Sequence, residues 1–173
     1  MRKLRLYIAM SLDGYIAGPD GEIDWLEAAG GGDDYGYSEF YASIDTTLMG
    51  RSTYELTLTV DEFPYPDKTN YVFTKGTPPP ETDHVRFVSG DIATFVRSLK
   101  EKPGKDIWLV GGGQINTVML NHGLIDDVIL TGFPTVLGEG IPLFAPGAAR
   151  SSFKTVGCER YDSGLIQWKM VRE

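Results

Sequence analysis

Leu4, Leu6, Ile8 and Met10 alternate with Arg5, Tyr7 and Ala9, the two-residue period of a strand whose faces meet different surroundings. The alternation then stops. From Ser11 to Gly32 the chain is rich in glycine, proline and aspartate, with a turn signal at Gly18-Pro19-Asp20-Gly21, and so long a stretch is expected to serve as a binding loop or lid. A helix is predicted from about Asp34, with Tyr37, Phe40 and Ile44 on one face. Strand-like runs follow at Thr46–Met49, Asn70–Thr74 and Val85–Val88, with a short helix starting at Ser52 between the first two. Asp91 is placed to cap a helix with the stripe Ile92, Phe95, Val96 and Leu99, which must end before Pro103-Gly104. Asp106–Val110 reads as a buried strand, Gly111-Gly112-Gly113 as the opening of a helix that closes at Gly123, and Ile125–Thr131 as another strand. Two alternating runs, 152–160 and 165–172, flank the turn at Asp162-Ser163-Gly164. Strands alternating with helices predict a largely parallel sheet, with this terminal hairpin adding antiparallel strands at one edge.

Composition narrows the picture without changing it. With 173 residues, 42% of them hydrophobic and 23% charged, the chain suits one globular domain over residues 1–173. The net charge of −8 comes with no basic cluster, which excludes nucleic acid as an expected partner but leaves room for a small phosphorylated ligand. Cys158 is the only cysteine, and the two histidines, His84 and His122, have no metal-ligand spacing, so neither a disulfide nor a protein-bound metal is expected. The apolar stretch after Met1 is broken too early for a signal peptide, and no run reaches the ~18 apolar residues of a membrane span. The expectation is a cytoplasmic protein without a membrane partner.

Three segments carry chemistry. In Trp108-Leu109-Val110-Gly111-Gly112-Gly113-Gln114-Ile115, successive glycines between a buried strand and a helix let the backbone approach a ligand and aim N–H groups at an anion such as a pyrophosphate. It is neither the dinucleotide fingerprint with spaced glycines nor a P-loop. In Leu48-Met49-Gly50-Arg51-Ser52-Thr53-Tyr54-Glu55, a strand delivers a guanidinium and two hydroxyls to the start of another helix. Phe73-Thr74-Lys75 ends the next strand with a hydroxyl and a cation, and two cations at neighbouring strand ends suit a ribose 2′-phosphate, favouring NADPH over NADH. The third segment, Ala9-Met10-Ser11-Leu12-Asp13-Gly14-Tyr15-Ile16-Ala17, turns the chain out of the first strand; Asp13 reads as a turn former rather than a catalytic acid, and Ile16-Ala17 as an apolar edge for a flat ring.

These three segments, in this order and spacing, resemble the dihydrofolate reductase superfamily, and more closely the branch related to the reductase domain of the bifunctional riboflavin-biosynthesis deaminase-reductase. Leu137-Gly138-Glu139-Gly140-Ile141-Pro142-Leu143-Phe144 is similar to that branch as well. The resemblance implies a three-layer α/β fold with a mostly parallel eight-stranded sheet, and NADPH lying across the strand carboxyl ends. Gly111, Gly112, Gly113 and Gln114, followed by Ile115, would hold the pyrophosphate, and Gly50, Arg51, Ser52 and Thr53 would supply phosphate contacts. Thr74 and Lys75 would sit at the adenosine end, and Ala9, Ile16, Ala17 and Gly18 near the nicotinamide. Trp25, Tyr37, Phe40 and Thr131 would wall a substrate pocket, or else serve as a lid staple (Trp25), core (Tyr37, Phe40) and a satisfied strand hydroxyl (Thr131). No metal or flavin is implied, and relatives in this branch suggest a homodimer. The implied activity is reduction of a small heterocycle, of the 5-amino-6-(5-phosphoribosylamino)uracil type.

The chain departs from that pattern in two places. Folate-reducing members carry an acid one helical turn before a pocket aromatic; if Phe40 is that aromatic, the position holds Gly36. Asp34 or an ordered water is then the nominee for proton donor. No second phosphate-binding cluster is visible, and the zinc-binding deaminase motifs are absent. Dihydrofolate reduction and a non-catalytic nucleotide-binding role stand as alternatives.

Overall fold

The computed structural model of the protein describes residues 1–29, 32–59 and 62–173, so Gly30 and Gly31 of the long loop lie outside the described residues. Its frame is a sheet of eight strands: β1 (Leu4–Met10), β3 (Ile44–Gly50), β4 (Thr69–Phe73), β5 (Val85–Val88), β6 (Asp106–Gly111), β7 (Asp127–Gly132), β9 (Phe153–Arg160) and β10 (Ile166–Arg172). The spatial order is β5-β4-β3-β6-β1-β7-β10-β9. The six strands from β5 to β7 are mutually parallel; β10 is antiparallel to both neighbours, so β9 runs with the majority. This is the mostly parallel sheet with a terminal hairpin that the sequence predicts.

The period-two pattern becomes the packing. Leu4 and Leu6 are fully buried on one face, with Leu48, Ile107 and Leu109, under helices α3 (Ile92–Glu101) and α4 (Gly113–Asn121). Tyr7 faces the other way, packed with Trp108 and Ile129 under helix α1 (Tyr37–Ser43). Helix α2 (Arg51–Thr57) covers the same side farther along, through Tyr54 against the cluster of Met49, Val72 and Val85. Two helices therefore lie on each face, giving three layers. Asp91 caps α3 as expected, its carboxylate accepting from the Thr94 amide at 3.0 Å. Gly123 stops α4 in the left-handed region, with φ 66°.

Several boundaries move for identifiable reasons. The helix predicted from Asp34 begins at Tyr37, because Tyr35 (φ 53°) and Gly36 (φ 74°) are both left-handed and cannot extend it backwards. Gly111 ends β6 rather than opening a helix, and α4 starts two residues later. The strand expected at Ile125–Thr131 begins at Asp127. The long loop is not structureless: β2 (Tyr15–Ala17) pairs with β8 (Ile141–Pro142), and Asp24–Ala29 forms a 3₁₀ turn. Elements of two and three residues have no periodicity to read.

Candidate functional site

Cross-strand register sets the carboxyl ends of the central strands side by side. Met10 pairs with Gly132, Met49 with Gly111, and Gly50 with Phe73. From β3 the chain winds outward through β4 to β5; β6 returns between β3 and β1, and β7 lies on the far side of β1. Open α/β sheets bind ligands outside the strand carboxyl ends at such a reversal. The segments Gly50–Thr53, Thr74–Lys75, Gly111–Ile115 and the end of β1 all emerge there.

At its centre the starts of α2 and α4 abut. A Cβ on Gly50 would come within 3.1 Å of Ile115 Cγ1, and one on Gly112 within 3.4 Å of Thr53 Oγ1. Gly111 has φ 113°, open to glycine at little cost, and the Gly111–Gly112 peptide is cis. Gly113 is glycine for a different reason: a Cβ there would lie 2.3 Å from the Pro142 carbonyl oxygen. The 141–145 segment is pinned against the start of α4 by the Ala145 amide on Gly113 O (3.3 Å), Asn116 Nδ2 on Leu143 O (3.0 Å) and Thr117 Oγ1 on Ala145 O (3.3 Å). Asn116 Oδ1, fully buried beside Gly111, has no hydrogen-bond partner.

The two nominated cations differ. Arg51 is half-exposed and its Nε donates to Glu55 Oε1 at 3.0 Å. Lys75 is exposed and, among the described residues, joins no ion pair. Thr74 is buried, with its amide on Val88 O; Ser52 and Gln114 are exposed.

Ala9, Ile16, Ala17 and Gly18 border the loop that leaves β1, and the 135–143 segment holds that loop in place. Leu12 N donates to Thr135 O at 2.7 Å and Leu143 N to Gly14 O at 3.1 Å. Asp13 accepts from Ser11 Oγ, Leu137 N and Gly138 N at 2.7, 3.1 and 2.7 Å. The Ser11 hydroxyl first, then these amides, hold its carboxyl below the usual range. Its geometry is that of a clamp between two loops.

The four nominated pocket residues share one face of the sheet. Phe40 is buried, stacked on Tyr7 at 4.6 Å, and Tyr37, half-buried, lies edge-on to Trp108 at 5.9 Å. Trp25 is buried against Phe133 at 5.0 Å, and its Nε1 has no partner. Thr131, opposite Ala9 in register, accepts from Gln167 Nε2 at 3.1 Å, and the same Nε2 donates to Tyr35 O. Gln167 and Tyr7 are the residues that sequence reading missed. A polar residue at the inward phase of an alternating strand, two after fully buried Leu165, was the available signal for Gln167. A cavity of about 130 Å³ lies beside Tyr7, Phe40 and Gln167 but runs toward Arg5 and Lys169, away from the glycine segment.

Asp34 is exposed, and its two carboxylate oxygens accept from Ser38 N and Ser38 Oγ at 3.0 and 2.9 Å. The side chains near the pocket face are phenols. Burial raises Tyr37 and Tyr65 above the ordinary value and Tyr7 to about 12, so all three are neutral at physiological pH. Among the described residues no group of histidine, cysteine or carboxylates could hold a metal ion, and no helix is long and apolar enough to cross a membrane.

Residues 2–167 match the family model described as the RibD C-terminal domain. The chain is 42% identical to the uncharacterized protein YwjB of Bacillus subtilis over 99% of its own length and 98% of that protein. Among solved structures, a Shewanella sp. PV-4 protein with a provisional assignment to riboflavin biosynthesis superposes with TM-score 0.88 at 32% identity, covering 99% of both chains. Dihydrofolate reductase from Enterococcus faecalis, complexed with NADP(H), gives TM-score 0.69 at 16% identity over 99% of this chain and 96% of that one, a likeness of fold.

Proposed function

The chain belongs to the RibD C-terminal domain family, a family of reductases, and from that premise we propose that it uses NADPH to reduce a small heterocyclic compound. One observation carries the cofactor reading. The segments that carry two cations, the glycine run and the start of α4 all emerge at the strand carboxyl ends where the winding reverses. The residues fit a dinucleotide. The amides of Gly112, Gly113 and Gln114 are donors for the pyrophosphate, Arg51 and Lys75 are cations for a 2′-phosphate, and Asn116 Oδ1 is an unpaired acceptor beside Gly111. When bound, the nicotinamide supplies a hydride for an electrophilic carbon.

The chain's own residues orient the substrate and control protons. Because Thr131 Oγ1 already accepts from Gln167, its hydrogen is available for an acceptor atom on the substrate. Neutral Tyr37 offers a donor on the same face. The carboxylate of Asp34 is taken up by Ser38, so the proton that completes the reduction is assigned to water entering at the loop mouth. Gly36, one turn before Phe40, offers no carboxyl for pterin protonation, which favours a substrate other than dihydrofolate. A Thermotoga maritima protein described as a deaminase and 5-amino-6-(5-phosphoribosylamino)uracil reductase superposes with TM-score 0.74 at 20% identity, and this chain covers 57% of it. A reduced aminopyrimidine is accordingly the first class to screen.

The test is a thermal-shift titration with NADPH and NADH. A ligand specific for the native state at ~100 times its Kd adds roughly 2.7 kcal/mol. NADPH is expected to raise the midpoint more than NADH, and Arg51→Ala to remove the difference. Folded protein that responds to neither nucleotide would overturn the reading.

A further inference from the structure

We propose that Glu55 sets how strongly this chain prefers NADPH over NADH, competing with a ribose 2′-phosphate for Arg51 and accepting a 2′-hydroxyl where no phosphate is present. The inference rests on the cofactor reading above. Arg51 and Glu55 stand four residues apart on α2, with Nε and Oε1 3.0 Å apart. Both side chains are more than half exposed, 51% and 56%, so the pair lies on the surface and not in the core.

Arg51 follows Gly50, which pairs with Phe73, so Arg51 and Thr74 are the next residues beyond one pair of neighbouring strand ends, with Lys75 one further on. Of the two cations that these strand ends carry, Lys75 joins no ion pair among the described residues and Arg51 is paired with Glu55. A dianionic 2′-phosphate must therefore displace Glu55 from Arg51 or share it, with a carboxylate nearby in either case. A ribose 2′-hydroxyl meets the opposite situation, since it is a donor and Glu55 is an acceptor. An acid on the 2′-hydroxyl and an arginine on the 2′-phosphate are the two known solutions in dinucleotide sites. This helix carries both, bound to each other. The result is a site whose discrimination is held below what its arginine and lysine could give.

None of the residues of α2 is buried, so Glu55→Gln removes the charge and one exposed ion pair while leaving the packing intact. The experiment is titration of the wild-type protein and Glu55→Gln with NADPH and with NADH. Glu101→Gln, at the far end of α3, serves as a control for net charge. Glu55→Gln is expected to bind NADPH about threefold more tightly and NADH about threefold more weakly, the size of effect that exposed ion pairs and single hydrogen bonds give, so the preference widens about tenfold. An unchanged NADPH-to-NADH ratio, with Arg51→Ala still weakening NADPH, overturns this inference and leaves the cofactor reading standing. Equal tightening of both nucleotides in Glu55→Gln and Glu101→Gln also overturns it, as a general charge effect. Wild-type protein that binds neither nucleotide overturns both.

Discussion

Gly113 has a carbonyl oxygen where a methyl group would go. Gly113→Ala would place Cβ 2.3 Å from Pro142 O, a backbone atom that cannot rotate aside, so the 141–145 segment must shift. Overpacking of this kind costs about 1–3 kcal/mol, and chemical denaturation should show a lowered midpoint with an unchanged slope. The three successive glycines were legible as a feature, but the sequence assigned all of them to a ligand. The structure adds a second demand on Gly113, the close approach of a segment some thirty residues on, and that partner could not be read from local pattern. Asp13 was read as a turn former, and its turn proves to be clamped to Leu137 and Gly138. Arg51 was legible as a cation; its engagement by Glu55 was written in the four-residue spacing and went unread.

At the level of elements, what was legible depended on length. Strands and helices of four or more residues with a clear period were found, most within two residues of their ends. β2 and β8 were not, because so short a ladder is defined by its partner rather than by its own sequence. The start of α1 was misplaced because two consecutive left-handed residues leave little trace in composition when only one of them is glycine. Helix α3 is fastened to the sheet by a contact outside any pattern. Lys100 Nζ, buried at the last turn, donates to Asp126 Oδ2 at 2.6 Å and to Leu124 O at 3.2 Å, while the same Oδ2 accepts from Leu4 N at 2.7 Å. Asp126→Ala would strand the buried ammonium and the strand amide together. Breaking a buried pair costs ~3–5 kcal/mol, and the partial exposure of Asp126 reduces the expected loss to about 2 kcal/mol, measurable by urea unfolding.

Buried and half-buried phenols give the whole molecule a pH dependence at the alkaline end. Burial raises Tyr7 and Tyr161 to about 12 and lifts Tyr37, Tyr41 and Tyr65 as well. The folded state holds these phenolic protons more tightly than the unfolded chain does. Their contribution is therefore complete below the ordinary value of 10.0 and is lost as pH rises from there through about 12. Denaturant midpoints should be flat up to pH 9 and fall steeply above 10, with tyrosinate absorbance rising together with unfolding. Fold class was the most legible property of all, because it follows from the order of many elements and survives small errors in each.

The central position of β1 has a consequence for how the protein is made. Leu4–Met10 is made before every other strand of this sheet, yet its neighbours in the sheet are β6 and β7, and Leu4 meets Ile107 only when that distant residue has been synthesised. Residues that end up fully buried must wait, exposed, while most of the chain is translated. At the other edge, β9 joins the sheet solely through β10, the strand that follows it in the chain. Pairings of such long range fold slowly. The native sheet should therefore form only after β10 has been made, and the nascent form should be a stronger client for chaperones than a domain of local contacts and equal length.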